Sequence, residues 1–343
     1  MIKLSYKLIA FVLILYTCDL VVGRSFTYLL AKLSDGRYYK TQYSLDHANE
    51  DIIIIGSSRG ETNYNPAVFT KVLSMSCWNA SRGGQSLPYF LAIEQEILKR
   101  HSPKLIILNM EQNALEGEID YEKSAFLRPF SQTHTFVYAL LSQKNCLEKY
   151  RLFSNIYINN SILYYLIRPF FIKNKDGKQS DKGWKPRIGN ISPSLVEKKV
   201  AIRAAVKKSE LNQSKISILN KIIETATANN SKLVISFSPD YFPTPIETAT
   251  MNYIKSFSHS KGITVYDFTK DITLNKKNGF FIDLEHMNQT GANTLSEMLS
   301  FKILNNNVNS YNQTPLYIKL KHLKLFNLTP KVKQLQQSIL SSN

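Results

Sequence analysis

One serine and one aspartate–histidine pair have the residue types that covalent acyl chemistry requires. Ser58 follows four consecutive isoleucines and a glycine in the stretch Asp51-Ile-Ile-Ile-Ile-Gly-Ser-Ser-Arg59. An uninterrupted apolar run of this kind indicates a strand covered on both faces of a parallel sheet. Open α/β sheets place their ligands at the carboxyl ends of such strands. A serine at that edge becomes a nucleophile when a base can reach its hydroxyl group.

The candidate base lies near the other end of the chain. Asp283 and His286 stand just before Asn288-Gln-Thr-Gly-Ala292, a segment typical of a helix start. From one loop, the imidazole can accept the serine proton while the carboxylate orients it. The chain order Ser, Asp, His is that of α/β-hydrolases, although their Gly-x-Ser-x-Gly motif is absent. Asp283 can also be a capping residue beside a surface histidine, so this pair alone leaves both interpretations open.

Two further segments add to these residues: Trp78-Asn-Ala-Ser-Arg-Gly-Gly-Gln-Ser86 and Leu105-Ile-Ile-Leu-Asn-Met-Glu-Gln-Asn-Ala114. Together the four blocks cover the chain from about Asp51 to Leu304. In order and context they resemble the SGNH (GDSL-type) hydrolase superfamily. The resemblance implies an α/β fold with a serine nucleophile and no cofactor.

Site roles follow from this resemblance residue by residue. Ser58 matches the nucleophile, and Asp283 and His286 match the Asp-x-x-His pair that completes the catalytic triad. Gly84 and Asn113 match the residues that form the oxyanion hole together with the N–H of Ser58. Donors fixed where negative charge develops in the transition state are worth about 3 kcal/mol each.

The chain departs from the family pattern beside these residues. Ser57 and Ala114 stand where the family usually has aspartates, and Glu111-Gln112 stands where a glycine is usual. These departures argue against the secreted lipase and esterase branch of the family. The Gly-Ser-Ser opening with Asp-x-x-His-Met-Asn-x-x-Gly-Ala resembles membrane-anchored bacterial members, which act on cell-envelope polymers. Arg59, next to the nucleophile, is expected to pair with a carboxylate or a backbone carbonyl and to support the turn.

An apolar run near the N-terminus predicts a membrane anchor. Leu8–Tyr16 follows two lysines, a pattern typical of a signal peptide or a signal anchor. Asp19 interrupts the run, which reaches the roughly 20 residues of a membrane span only with Arg24 near the interface. We expect an uncleaved single-pass anchor over residues 1–33, the alternative being an amphipathic or core helix. Charge does not decide the orientation, and the family resemblance implies a catalytic domain outside the cytoplasm.

The chain carries a net charge of +17, from 43 Lys and Arg against 26 Asp and Glu. No nucleic-acid-binding motif accompanies this charge, so nucleic acid is not an expected partner. The basic residues concentrate in Lys173–Lys208 and in Lys319–Lys333. They form ordinary solvated faces or attract an anionic surface such as phospholipid head groups or an acidic polysaccharide. The three cysteines and six histidines lack metal-ligand spacing, so no metal site is expected.

Alternating strand and helix patterns predict an α/β fold, a three-layer α/β/α sandwich on a central parallel sheet of about five strands, of the SGNH or flavodoxin-like kind. A connector covers residues 34–50, the hydrolase-like domain 51–304, and a basic C-terminal extension 305–343. An aromatic-rich, basic insertion at about 115–230 is either a lid over the site or a set of packed helices, with Lys173–Arg187 as a flexible linker. After the Ile52–Ile55 strand and a strand-like run at Val72–Cys77, further strands are predicted at Leu105–Leu108, Leu233–Phe237 and Ile263–Asp267. Helices are predicted from Asn65-Pro66 onward and at Ser86–Arg100, Ile218–Asn229, Pro245–Ser258 and Thr290–Lys302.

The residues and the resemblance together predict an envelope-anchored serine esterase or O-acyltransferase. Its expected substrate is an acylated glycan of the cell surface, with O-acetyl as the ester-linked group. The triad supports transfer of the acyl group to water or to a sugar hydroxyl, so both acceptors remain open. The competing hypothesis is a catalytically idle assembly or binding protein of a polysaccharide biosynthesis or export system.

Overall fold

A parallel sheet forms the centre of the protein. The computed structural model describes residues 2–160, 162–165, 181–200, 210–242 and 247–310. Within them the sheet has five strands in the order β2-β1-β3-β4-β5, with every neighbouring pair parallel. The strands are β1 Ile52–Ile55, β2 Cys77–Asn79, β3 Leu105–Met110, β4 Lys232–Phe237 and β5 Thr264–Asp267. This confirms the predicted sheet.

Helices cover both faces of the sheet. In chain order they are α1 Ile2–Ala31, α2 Gly36–Asp46, α3 Ser58–Asn63, α4 Pro66–Leu73, α5 Leu87–Leu98, α6 Thr135–Ser142, α7 Glu148–Arg151, α8 Asn155–Asn159, α9 Pro193–Val200, α10 Gln213–Ala228, α11 Ala249–Ser260 and α12 Gln289–Ser310. Short 3₁₀ helices cover Tyr121–Phe130 and Asn278–Phe280. The three-layer α/β/α sandwich is therefore confirmed.

The isoleucines of β1 show why the strand sequence lacks alternation. Ile53 and Ile55 pack into the apolar cluster that contains α5 and α10. Ile52 and Ile54 pack into a second cluster, on the opposite face, that contains α4 and α12. Because both faces are covered, every position of this strand must be apolar.

The strand order decides where a site can form. An order of 2-1-3-4-5 is the flavodoxin-like arrangement, in which the chain leaves β1 and β3 toward opposite faces of the sheet. The crevice at that switch point opens outside the carboxyl ends of these two strands. Ser58 follows β1 and Asn113 follows β3, so both lie at this crevice edge.

Two elements near the start of the domain differ from prediction. The predicted connector 34–50 contains α2, whose Tyr38 and Leu45 are buried in the core. The predicted strand at Val72–Cys77 is wrong in position, because α4 takes its first residues and β2 begins only at Cys77. The predicted helix start is confirmed, since the Asn65 side chain accepts the N–H of Ala67 at 3.0 Å.

The insertion is partly packed rather than flexible. Trp184 is only 6% exposed, and its indole N–H donates to the carbonyl of Thr62 at 2.8 Å. The flexible-linker prediction is therefore wrong for residues 181–187. The other residues of that linker, Arg203, Lys207 and the basic tail Lys319–Lys333 lie outside the described residues. At the C-terminal end, α12 continues to Ser310, past the predicted boundary at residue 305.

The N-terminal helix α1 is 30 residues long and projects its apolar side chains outward. Among the described residues it is the one helix with the length and apolar composition of a membrane span. Its side chains from Leu8 to Tyr16 are exposed, with Phe11 at 58%. An apolar surface of this size is unfavourable in water, so it needs an apolar environment.

Candidate active site

Ser58 is positioned by the sharp passage from β1 into α3. The chain leaves the strand at Gly56, where a Cβ atom would lie 2.9 Å from the Cβ of Asn109 on β3. Glycine is therefore required for the turn to pass so close to the neighbouring strand. Ser58 is the first residue of α3 and is half-buried, so its hydroxyl reaches the crevice.

The structure brings the predicted Ser, Asp and His side chains together. His286 Nε2 lies 2.8 Å from Ser58 Oγ. On the other side of the ring, His286 Nδ1 lies 2.8 Å from Asp283 Oδ2 and 3.0 Å from Asp283 Oδ1. Since a carboxylate only accepts, Nδ1–H donates to Asp283 and the neutral ring accepts the Ser58 O–H at Nε2. This is the tautomer that a general base needs.

The charge of Asp283 is held by its own loop. Burial alone raises the pKa of Asp283, but hydrogen bonds from the His286 ring and from the N–H groups of Glu285 and His286 lower this pKa to about 2. Both backbone N–H groups lie 2.8 Å from Oδ1. Asp283 is therefore ionised well below neutral pH, and it is available to stabilise the imidazolium.

The Asp283–His286 loop is fixed to α3 by backbone contacts. The N–H of Met287 donates to the side chain of Asn63, the last residue of α3, at 2.9 Å. The N–H of Ile282 donates to the carbonyl of His286 at 3.0 Å, which closes the loop on itself. These contacts hold the imidazole over the N-terminal end of α3, where Ser58 stands.

Arg59 pairs with a carboxylate, as the sequence predicts. Its Nη2 lies 2.8 Å from Asp240 Oδ1 and 3.9 Å from Glu285 Oε2. Asp240, in the loop after β4, also accepts the side-chain amide of Gln112 at 2.9 Å. Arg59 thereby connects the nucleophile turn to the loops after β3 and β4 and to the histidine loop.

Ser57 faces a different partner from Ser58. Its hydroxyl donates to the carboxylate of Glu111, which directly follows β3. Ser57 is buried, and among the described residues it makes no hydrogen bond to His286, whose Nε2 faces Ser58. The two adjacent serines therefore have different hydrogen-bond partners, and the one predicted to be the nucleophile, Ser58, is the one beside His286.

The predicted oxyanion donors lie in two exposed loops at the same edge. Gly84 adopts a φ of 78°, which favours glycine, and within the described part of the chain its N–H donates no hydrogen bond. The neighbouring Gly83 approaches the nucleophile, since a Cβ atom there would lie 3.5 Å from Ser58 Cβ. Asn113 is exposed in the turn after β3, and its side-chain amide makes no hydrogen bond to the other described residues. Their role in binding an oxyanion stays a prediction.

A buried ion cluster that the sequence did not predict lies behind the Gly83–Gly84 loop. Glu61 on α3 accepts the N–H of Gly83 at 3.0 Å and the Lys40 ammonium at 3.3 Å. Burial lowers the pKa of Lys40 to about 8, against the opposing effect of Glu61. Burial also acts to raise the pKa of Glu61, but Lys40 and Arg82 outweigh it, so this pKa is lowered. No local pattern points to this cluster, because its members come from three separate elements.

The arrangement can carry out nucleophilic acyl chemistry. Ser58 has a base at hydrogen-bond distance, and that base has an ionised carboxylate behind it. In the described ranges, no group of three or more His, Cys, Asp and Glu side chains could hold a metal ion.

Comparisons with known proteins give only distant structural likenesses. No protein-family model matches the chain, and no curated protein matches it. A protein from Desulfitobacterium hafniense DCB-2 assigned as a lipolytic member of the G-D-S-L family shares 11% identity, over 73% of this chain and 97% of that one, with a TM-score of 0.38. A protein from Bacteroides fragilis NCTC 9343 assigned as an acylhydrolase shares 13% identity, over 78% and 94%, with a TM-score of 0.38.

A third structure, from Streptococcus pneumonia and assigned as a platelet activating factor, shares 11% identity, over 88% of this chain and 98% of that one, with a TM-score of 0.33. TM-scores this low are insufficient to carry an argument about fold or activity. The function proposed below therefore rests on the geometry of the site.

Proposed function

We propose that the protein is a serine esterase or O-acyltransferase of the SGNH (GDSL-type) hydrolase superfamily. The observation that carries the proposal is the 2.8 Å approach of His286 Nε2 to Ser58 Oγ, with Asp283 on the opposite ring nitrogen. Two residues more than 200 positions apart in the chain meet at hydrogen-bond distance. A capping aspartate beside a surface histidine does not require such a meeting, and neither does an idle binding protein.

The first half of the reaction forms an acyl-enzyme. Ser58 Oγ attacks the ester carbonyl carbon as His286 Nε2 takes the hydroxyl proton. Negative charge develops on the carbonyl oxygen and is stabilised by hydrogen bonds from the N–H groups of Ser58 and Gly84 and from the amide of Asn113. The tetrahedral intermediate then collapses, the C–O bond to the alcohol breaks, and the alcohol leaves with the proton from His286.

The second half returns the serine. An acceptor hydroxyl attacks the acyl carbonyl of Ser58 while His286 again takes the proton. The bond to Ser58 Oγ breaks, and the serine recovers its proton from the imidazolium. Water as acceptor completes hydrolysis, whereas a sugar hydroxyl completes acyl transfer. Both outcomes use the same residues in the same roles.

We propose the O-acetyl groups of a cell-surface glycan as the substrate and α1 as a single-pass anchor that keeps the domain outside the cytoplasm. The exposed apolar surface of α1 supports the anchor. Exposure of Gly84 and Asn113 supports a large acylated substrate, because the oxyanion site opens to solvent and does not close around a small ester. The net charge of +17 supports an anionic lipid or polysaccharide surface as a partner.

Release of acetate from an aryl acetate and from O-acetylated glycans, by the full chain in detergent, tests this function. Ser58→Ala and His286→Ala should each abolish release. The exposed His259 on α11 offers a matched control, and His259→Ala should leave the rate unchanged. Adding deacetylated glycan separates the two acceptors, since a transferase moves the acetyl group to the glycan. Absence of both release and transfer would favour the idle assembly protein.

A further inference from the structure

A polar contact joins α1 to the helical insertion in the middle of the long helix. Asp19 Oδ1 accepts Ser154 Oγ at 2.5 Å and the N–H of Ile156 at 3.1 Å. Asp19 Oδ2 accepts the N–H and the side-chain amide of Asn155 at 2.8 and 3.0 Å. The carboxylate that interrupts the apolar run thus accepts two N–H groups of the first turn of α8, whose N-cap residue is Ser154.

The contact continues along the next turns of α1. The side-chain amide of Asn159 donates to the carbonyl of Gly23 at 3.1 Å and to Thr27 Oγ1 at 3.0 Å. A Cβ atom at Gly23 would collide with Asn155, so glycine permits this close approach of the two helices. The half of α1 from Asp19 onward therefore belongs to the folded domain.

Asp19 also sets the level at which α1 can leave a membrane. A carboxylate with hydrogen bonds to α8 cannot enter hydrocarbon without carrying polar backbone groups of α8 with it, which is unfavourable. The helix before it, Ile2–Cys18, is about 25 Å long, slightly less than the roughly 30 Å of a hydrocarbon core. Its Lys3 and Lys7 lie in the first two turns, where their long side chains can reach the opposite head groups. The surface of the hydrocarbon therefore falls at Asp19, and Arg24 lies exposed beyond it.

The insertion carries exposed apolar side chains next to, and shortly before, the residues that bind Asp19. We define the boundary patch as Leu147, Tyr150, Phe153 and Ile156, which are 55%, 62%, 69% and 38% exposed. Phe153 directly precedes Ser154, which binds Asp19, and the backbone N–H of Ile156 itself donates to Asp19. Two cations stand between the patch residues: the Lys149 ammonium lies 4.9 Å from the Tyr150 ring centre, and the Arg151 side chain is 49% exposed.

We propose that the boundary patch contacts the phospholipid bilayer that holds α1. Its aromatic rings lie among the head groups and the upper acyl chains, and Lys149 and Arg151 face lipid phosphates. The boundary patch adjoins the exposed apolar surface of α1 at Asp19. This continuity argues that lipid is what contacts the patch. The anchor and the patch together hold the domain in one orientation on the membrane. This inference rests on the anchoring of α1 in the proposed function.

Quenching by brominated lipids tests the contact in the full chain. The Phe153→Trp variant is reconstituted in vesicles of phosphatidylcholine and phosphatidylglycerol, with bromine placed near the head-group end of the acyl chains. The Ile272→Trp variant is the matched control, because Ile272 is 85% exposed in the loop after β5. The unsubstituted chain supplies the background from the buried Trp78 and Trp184. Flotation of the vesicles reports the anchor separately.

The proposal expects both variants to float, with the indole of Phe153→Trp losing fluorescence to brominated lipid and that of Ile272→Trp keeping it. A floating Phe153→Trp variant that is not quenched overturns the patch contact, leaves the anchor intact and assigns the patch to a protein partner. Equal quenching of the two variants also overturns it, because the domain then has no fixed orientation. Protein that does not float overturns the anchor and the patch contact together, while acetate release still tests the catalytic proposal.

Discussion

Ser57 and Ser58 are adjacent but make different hydrogen bonds, and this difference predicts their roles. Ser58 contacts His286, whereas Ser57 donates to Glu111. Ser58→Ala should lower kcat/KM by on the order of 10⁶-fold, as expected for a lost nucleophile. Ser57→Ala removes one hydrogen bond to a half-buried carboxylate, so kcat/KM should fall by no more than about tenfold. Steady-state kinetics on an aryl acetate measures both, and equal losses would leave the nucleophile unassigned.

Asp283 should contribute no step to the pH dependence of the reaction at the ordinary pKa of an aspartate. The pKa of Asp283 is lowered to about 2, below its ordinary value. A lowered carboxyl pKa stabilises the folded protein above the unfolded pKa, and this contribution is lost only as the pH falls toward 2. Phosphonate labelling measured against pH should therefore show no step from Asp283 at about pH 4, and such a step would contradict the hydrogen-bonded carboxylate.

Asp283→Asn provides the matched comparison for this assignment. It preserves the shape of the side chain but removes the charge that stabilises the imidazolium. We expect kcat to fall by on the order of 10²- to 10⁴-fold over the whole pH range. A variant with unchanged kcat would exclude Asp283 from the reaction.

Among the elements, a buried ion pair joins the segments after β1 and β4, and the Gln112 amide joins Asp240 of this pair to the loop after β3. The Arg59 and Asp240 side chains are 11% and 4% exposed and 2.8 Å apart. Arg59→Met leaves the Asp240 charge buried, so it should lower the free energy of unfolding by about 3 kcal/mol. Lys104→Met is the control, because the Lys104–Asp51 pair is exposed and should contribute less than about 1 kcal/mol. Urea denaturation compares them, and equal effects would show that Arg59 does not connect the loops.

Elements with a strong local signal were predictable from the sequence. Four isoleucines give β1, and Asn65 with Pro66 gives the start of α4. The helix α2 was not predictable, because its buried face carries Lys40 and Ser44. These polar groups bind Glu61 and Trp78, which lie on other elements. A helix with a polar face toward the core has the sequence pattern of a connector, because the residues that bind its polar groups lie far away in the chain.

The candidate site also combines residues that the sequence predicts with contacts that it does not predict. Ser58 was identifiable from its strand edge, whereas Asp283 and His286 were identifiable only together with the family resemblance. The distances among them depend on Asn63, Asp240 and other residues remote in the chain, which no local pattern contains. The partner of Ser57, Glu111, was visible only as a departure from the family pattern.

At the scale of the whole molecule, Asp19 divides α1 into two halves. The half before Asp19 carries exposed apolar side chains, and the half from Asp19 onward contacts the folded domain. A chain that begins at Asp19 lacks the exposed apolar side chains from Leu4 to Tyr16 but retains the contacts with Ser154, Asn155 and Asn159. A chain that begins at Ser34, the boundary drawn from the sequence, loses these contacts. We expect both to leave the membrane fraction, and the longer one to have the higher Tm. Equal Tm values would contradict the role of Asp19 in the folded domain.

The most direct test of the central claim is the site of covalent modification by a fluorophosphonate. An activated serine Oγ attacks phosphorus and displaces fluoride, whereas an unactivated serine does not react. Mass spectrometry of the full chain should find the phosphonyl group on Ser58. The modification should be absent in His286→Ala and should persist in Ser57→Ala and His259→Ala. A folded protein that remains unmodified, or one modified on a different serine, would contradict the assignment of Ser58 as the nucleophile.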